Sequence, residues 1–222
     1  HDGTVEYFKQ NDYFGYGESN IIFFPQNTIP IGDFEGKLLV RNNEILRGGD
    51  GNGGIFAALG DSGMIDRISS LGIEKVFVCG IDNVFVKILD PLFLGFALES
   101  GMDIASKSVM KRSYDEKAGV FCRKNGKPSY IEYMEISDEN AKKTDINGEF
   151  VYGDIGIVAY YYDIKVLRNM VNAPLPYHVS MKKFNYHLPG GQEVVVEKPN
   201  CLKFEAFIFD SFNYVNDVAV MR

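Results

Sequence analysis

Apolar positions recur along the chain in two rhythms. Short runs rich in Val, Ile and Phe, at Ile21–Phe24, Lys37–Val40 and Lys75–Cys79, have the length and β-branched character of buried strands. Thr4–Gln10, Ile55–Leu71 and Pro91–Gly101 carry helix-like patterns instead. Alternation of this kind predicts an α/β sheet. Farther along, Gly119–Arg123 and Ser129–Met134 flank Lys124-Asn125-Gly126-Lys127, and Asn-Gly in that setting predicts an antiparallel hairpin. A long strand-like run from Glu149 to Tyr162, interrupted by Gly153 and Gly156, precedes a helix predicted near Asp163–Val171. The sheet is therefore predicted to be mixed. No repeat, low-complexity tract or linker divides the chain, so one domain is expected, with the weakly patterned Asn172–Pro199 projecting from the core.

With 222 residues, 45% apolar and 24% charged, the chain can bury roughly 70% of its unfolded surface. A net charge of −7 argues against nucleic acid as a main partner, since phosphate backbones call for a concentrated basic face. Cys79, Cys122 and Cys201 lie far apart without a CxxC pair, which gives neither a disulfide framework nor a zinc site and fits a reducing cytosol. The most apolar stretch, Val76 to Leu98, is interrupted by Asp82, Asn83, Lys87 and Asp90, so no membrane span is expected. The opening His1, with no basic-then-apolar leader behind it, reads as the cut end of a fragment.

The densest chemical signal is Gly48-Gly49-Asp50-Gly51-Asn52-Gly53-Gly54, where glycines let backbone approach a ligand and a helix-like run begins at once. The same dipeptides also read as a flexible turn. Gly49, Gly51 and Gly54 satisfy GxGxxG, but Arg41 to Arg47 is too polar for the buried first strand of a dinucleotide fold, and no Lys-Ser or Lys-Thr completes a P-loop. The buried strand at 75–79 runs to Asp82, which is placed either to hold Mg²⁺ beside a nucleotide or to cap the next turn. Gly60-Asp61-Ser62-Gly63 copies a serine-protease string but falls between helical segments, and His178 and His187 lack metal-ligand spacing. Finally, Lys198-Pro-Asn through Phe209-Asp-Ser-Phe212 is aromatic enough to be core, although Lys203 beside a glycine loop and a carboxylate-held Mg²⁺ would complete a phosphate clamp.

Taken in order, Asn11-Asp-Tyr-Phe-Gly, Asn20-Ile-Ile-Phe-Phe, Asp50-Gly-Asn-Gly-Gly, Ile81-Asp-Asn, Asp90-Pro-Leu-Phe-Leu-Gly-Phe, Glu132-Tyr-Met-Glu-Ile-Ser and the Lys198–Phe212 stretch resemble the eukaryotic-type UDP-N-acetylglucosamine pyrophosphorylases across nearly the whole chain. The resemblance implies a Rossmann-like, GT-A-like nucleotidyltransferase domain with a mixed sheet flanked by helices. It also implies Mg²⁺ as cofactor, a cytoplasmic setting, and UTP, N-acetylglucosamine 1-phosphate and UDP-N-acetylglucosamine as small-molecule partners. By matching position, Gly51 and Asn52 would approach the uridine and sugar, Asp82 the metal and Lys203 the phosphates. Gly119, Glu132 and Tyr133 would line the sugar site, with Phe207 and Phe209 around the N-acetyl group.

Three departures accompany the match. The family's Gly-Thr-Arg loop is expected upstream, and a further phosphate-binding lysine and a small C-terminal β domain downstream. Residues 1–222 are thus expected to be part of a single catalytic domain, inactive in isolation. The family's sugar-binding Asn aligns with Gly156, which has no side-chain amide. Two rivals follow: a non-catalytic UDP-sugar-binding protein, and a UDP-glucose or broad-range UDP-sugar pyrophosphorylase.

Overall fold

A computed structural model describes all 222 residues, which fall into two compact units, His1–Met64 with Pro176–Phe207 and Ile65–Leu175 with Ile208–Arg222. In the second unit a six-stranded sheet is built around one long strand, Asp154–Asp163. Ile104–Met110 pairs along one of its edges. Lys75–Cys79 and, through Val120, Val120–Lys124 pair along the other. All three run antiparallel to it, whereas Ala219–Met221 lies parallel to Ile104–Met110 at the sheet edge, so the sheet is mixed as the sequence predicts.

The central strand is buried on both faces, as Tyr160, Tyr161 and Tyr162 are each almost fully covered. Tyr161 packs against Phe77 and against Phe93 of the helix Pro91–Glu99. Tyr160 meets Phe212, and the Tyr162 hydroxyl lies 2.9 Å from Ser211 Oγ. Asp90 starts the Pro91–Glu99 helix by accepting from the Leu92 amide, and Asp163 starts Ile164–Met170 by accepting from Lys165, the side-chain caps that short acidic residues supply. The hairpin forms as expected, Val120–Lys124 against Lys127–Ile131, with Asn125 and Gly126 both at positive φ (53° and 79°) as a two-residue hairpin turn demands.

The first unit has shorter elements. Thr28–Pro30 pairs with Arg47–Gly49 and His178–Lys182 with Cys201–Glu205, both antiparallel, over a small core of Ile31, Leu39 and Cys201. Most of Asn172–Pro199, expected to project from the core, instead lies within Pro176–Phe207, one of this unit's two chain segments. Residues 21–24 make no strand: Pro25 follows them, and Phe23 packs edge-on to Phe8 of the helix Asp2–Gln10. The helix expected over 55–71 is divided into Ile55–Asp61 and Met64–Ser70, because Gly63 turns to φ 70° and the Ser62 hydroxyl folds back onto the Ala58 carbonyl. The Gly60–Gly63 string is accordingly a helix end and its joint, with no nucleophile geometry.

Candidate functional site

In the first unit two sequence-distant candidate segments come together. The glycine loop follows the strand Arg47–Gly49 and opens the 3₁₀ turn Asn52–Gly54. The strand Cys201–Glu205 runs alongside it. The Ala206 amide donates to the Asp50 carbonyl at 2.7 Å, and the Gly53 amide donates to the Ala206 carbonyl at 2.9 Å. The Gly53 N–H is thereby used within the protein and is not offered to a ligand. Asp50 is buried, and its carboxylate accepts from Gln26 Nε2 at 2.9 Å, while the same amide reaches the Gly51 carbonyl at 2.7 Å. The loop is thus fastened on both sides.

Asn52 is exposed beside the buried Gly51, and the two line a cleft of about 230 Å³ with Phe24, Gln26, Ile55 and Ala58. Sequence reasoning missed Gln26, which sits between Pro25 and Asn27 and matches no motif. Its amide ties Gln26 to the loop, and the Asp50 amide, donating to the Asn27 carbonyl at 3.2 Å, ties the next residue. Lys203 lays its stem across Gly48, where a β-carbon would come within 3.0 Å of Lys203 Cε. The ammonium lies 2.7 Å from Glu205 Oε1, two residues on along the same face of the strand, with both side chains about one-fifth exposed. Phe207 packs against His178, ring centroids 4.7 Å apart.

In the second unit, Asp82 follows the carboxyl end of the strand Lys75–Cys79. Of the two readings for Asp82, turn-capping falls to its neighbour, since Asn83 Oδ1 accepts the Phe85 amide at 3.1 Å. The Asp82 carboxylate is exposed, engages in no ion pair, and folds back over Gly80, where a β-carbon would lie 2.6 Å from Asp82 Oδ1. Gly80 bonds the Val158 carbonyl of the central strand, and Val158 sits at φ 51°, strained for a β-branched residue. No group of three or more His, Cys, Asp or Glu is arranged to hold a metal ion. A single free carboxylate nonetheless suits Mg²⁺, which keeps several waters and completes its shell with substrate phosphates.

Gly119, Gly156 and Phe209 also lie in this unit, all against Tyr130. Glu132 is half-buried at the start of a turn in which its carbonyl accepts from Glu135 and Ile136. Tyr133 is 41% exposed and borders a cavity of about 150 Å³ with Lys111 and Tyr114.

The second unit's mixed sheet with flanking helices is that of a Rossmann-like nucleotidyltransferase fold. The profile of the family described as UTP--glucose-1-phosphate uridylyltransferase matches residues 1–220, and the chain belongs to that family, on the side of its UDP-N-acetylglucosamine pyrophosphorylases. It is 36% identical to UDP-N-acetylglucosamine pyrophosphorylase of Saccharomyces cerevisiae over 218 residues, 96% of this chain and 46% of the relative. It is 34% identical to UDP-N-acetylhexosamine pyrophosphorylase-like protein 1 of Mus musculus, again over 96% of this chain and 43% of the relative. The crystal structure of the Trypanosoma brucei uridine diphosphate N-acetylglucosamine pyrophosphorylase in complex with inhibitor superposes with a TM-score of 0.81 at 28% identity, covering 100% of this chain and 46% of that one. UDP-glucose phosphorylase of the same organism, at 13% identity and a TM-score of 0.75, shares the fold. The chain spans just under half the length of the relatives it matches. No helix is long and apolar enough to cross a membrane.

Proposed function

We propose that the whole protein is a Mg²⁺-dependent cytoplasmic uridylyltransferase, forming UDP-N-acetylglucosamine and pyrophosphate from UTP and N-acetylglucosamine 1-phosphate, and that residues 1–222 are part of its single catalytic domain. The observation that carries this reading is the fastened glycine loop with Lys203 laid across it, in a chain 36% identical to a UDP-N-acetylglucosamine pyrophosphorylase. A phosphate oxygen of the sugar phosphate attacks the α-phosphorus of UTP in line. The bond to the bridging oxygen breaks and pyrophosphate leaves, so no protein nucleophile is needed. The protein's part is alignment and charge.

Gly51 and Asn52 bound the cleft assigned to the uridine and sugar. Lys203 supplies positive charge for the phosphates, and Asp82 holds Mg²⁺, which would neutralise charge on phosphate oxygens. Gly119, Glu132, Tyr133 and Gly156 are assigned to the sugar, and Phe207 and Phe209 to its N-acetyl group. An apolar wall favours the added methyl by about 1–3 kcal/mol. The test is pyrophosphate release by the full-length protein with UTP and Mg²⁺, comparing N-acetylglucosamine 1-phosphate with glucose 1-phosphate. Turnover favouring the former is expected. Equal or reversed preference would make it a UDP-glucose or broad-range enzyme, and no turnover with either would sink the reading.

A second reading has its own support in Gly156, which offers no side-chain amide to a sugar: a protein that binds UDP-sugars without reacting them. Binding of UDP-N-acetylglucosamine without turnover would establish it.

A further inference from the structure

Gly119 and Gly156 face one and the same side chain. A β-carbon on Gly119 would lie 2.9 Å from Tyr130 Cζ and 3.0 Å from its hydroxyl oxygen, and one on Gly156 would lie 2.9 Å from Cε2 and 3.0 Å from that oxygen. Real β-carbons do not approach other atoms so closely, so the ring fills the space that side chains at 119 and 156 would need. The ring also stacks on Phe209, centroids 4.5 Å apart with 26° between planes, and meets Phe121 edge-on at 5.3 Å. Its hydroxyl donates to the Gly119 carbonyl at 2.7 Å, removing that acceptor from any ligand. Burial raises the phenol's pKa and the Glu132 charge adds to the rise, so the group stays neutral and the wall uncharged. Tyr130 is nevertheless only partly buried.

Three residues assigned above to the sugar and its N-acetyl group, Gly119, Gly156 and Phe209, thus all touch one ring that no motif singles out. We propose that Tyr130 is a specificity-determining residue of the sugar subsite: its ring, backed on one face by Phe209, forms the apolar wall that an acylated amino sugar meets in place of a side chain at 156. A flat aromatic face rewards the acetamide methyl and gives a bare hydroxyl nothing to bond. This inference rests on the uridylyltransferase reading and deepens it.

The test is calorimetric binding of UDP, UDP-N-acetylglucosamine and UDP-glucose to the full-length protein, wild type and variants, with thermal melts to confirm folding. Tyr130→Val removes the ring, while Gly156→Ala pushes it aside by a methyl that cannot fit at 2.9 Å. Both variants are expected to cut the preference for the N-acetylated sugar about tenfold, leaving UDP affinity within about twofold. Tyr130→Phe keeps the ring and is expected to keep the preference. If Tyr130→Val does not fold, Gly156→Ala and Tyr130→Phe decide. Folded ring-displaced variants with wild-type preference would overturn the proposal, as would a Phe variant that loses the preference. Wild-type protein that binds UDP but prefers neither sugar removes this inference alone, whereas failure to bind any of the three nucleotides removes the uridylyltransferase reading with it.

Discussion

A β-carbon on Gly51 would lie 2.8 Å from the Ala206 backbone nitrogen and collide with the Ala206 carbonyl oxygen, at a backbone φ of +92°. Glycine is needed at 51 because the loop closes against a strand far away in sequence. Gly51→Ala is therefore expected to cost about 3 kcal/mol or more, combining left-handed strain with overpacking. Gly95 is the control: it lies within the helix Pro91–Glu99 with nothing within 4 Å of an added β-carbon. Gly95→Ala is expected to stabilise by about 0.4–1 kcal/mol. Urea midpoints of the two variants check both, and equal effects would contradict the account of the loop.

Lys203 has a resident competitor for its charge. Glu205 Oε1 sits 2.7 Å from the ammonium and Glu205 Oε2 3.2 Å from Ser180 Oγ, so an incoming phosphate must take the lysine from a carboxylate. Lys203→Ala is expected to lower turnover by roughly a hundredfold while the fold survives. Glu205→Gln preserves the shape but withdraws the competing charge, and UTP affinity is expected to rise roughly threefold, the scale of one part-exposed ion pair. A lysine serving only to brace the strand would leave UTP affinity unchanged in the Gln variant.

What the sequence disclosed was local. Asn125-Gly126 announced its hairpin because few other dipeptides accept two successive positive φ values. The helix from Pro91 was legible in its own apolar pattern, and the Asp90 cap and Pro91's missing N–H, which fix where it starts, are likewise properties of adjacent residues. Closures were hidden: nothing near Ala206 shows that it will meet Gly51, and nothing near Tyr130 shows that Gly119 and Gly156 make room for it. Residues 21–24 misled for the same reason, since an apolar run looks alike whether its partner is a strand or, as here for Phe23, a helix ring at Phe8. Gln26 gave no signal, because a carboxamide acquires its role from the Asp50 and Gly51 atoms it reaches.

Acid should loosen the second unit through Asp90. The Lys107 ammonium bonded to this carboxylate holds its pKa below the usual range, outweighing desolvation, and the Leu92 and Phe93 amides assist. A carboxyl depressed on folding adds stability above the unfolded value of about 3.9, and that stability is lost as pH falls through the lower folded value. Lys107→Met brings the folded value back up, so the acid-unfolding midpoint is expected to rise by roughly half a pH unit. Circular dichroism titration of both proteins measures it. An unchanged midpoint would mean that other carboxylates govern acid unfolding.

Asp82 can be tested without being replaced. Its carboxylate lies over Gly80, 2.6 Å from where a β-carbon would stand, but that oxygen is the end of an exposed side chain free to swing away. Gly80→Ala should therefore displace the carboxylate at little cost in stability, with a melting temperature within a few degrees of wild type. Asp82→Ala removes the carboxylate outright and is expected to lower turnover by about a hundredfold or more. If Asp82 holds Mg²⁺, the Gly80 variant should need several-fold more Mg²⁺ for half-maximal turnover while reaching a comparable maximum, because the ligand is misplaced and not lost. Two variants that differ so little in stability and so much in metal dependence would have no explanation in packing alone. Wild-type Mg²⁺ dependence in both would take the metal away from Asp82.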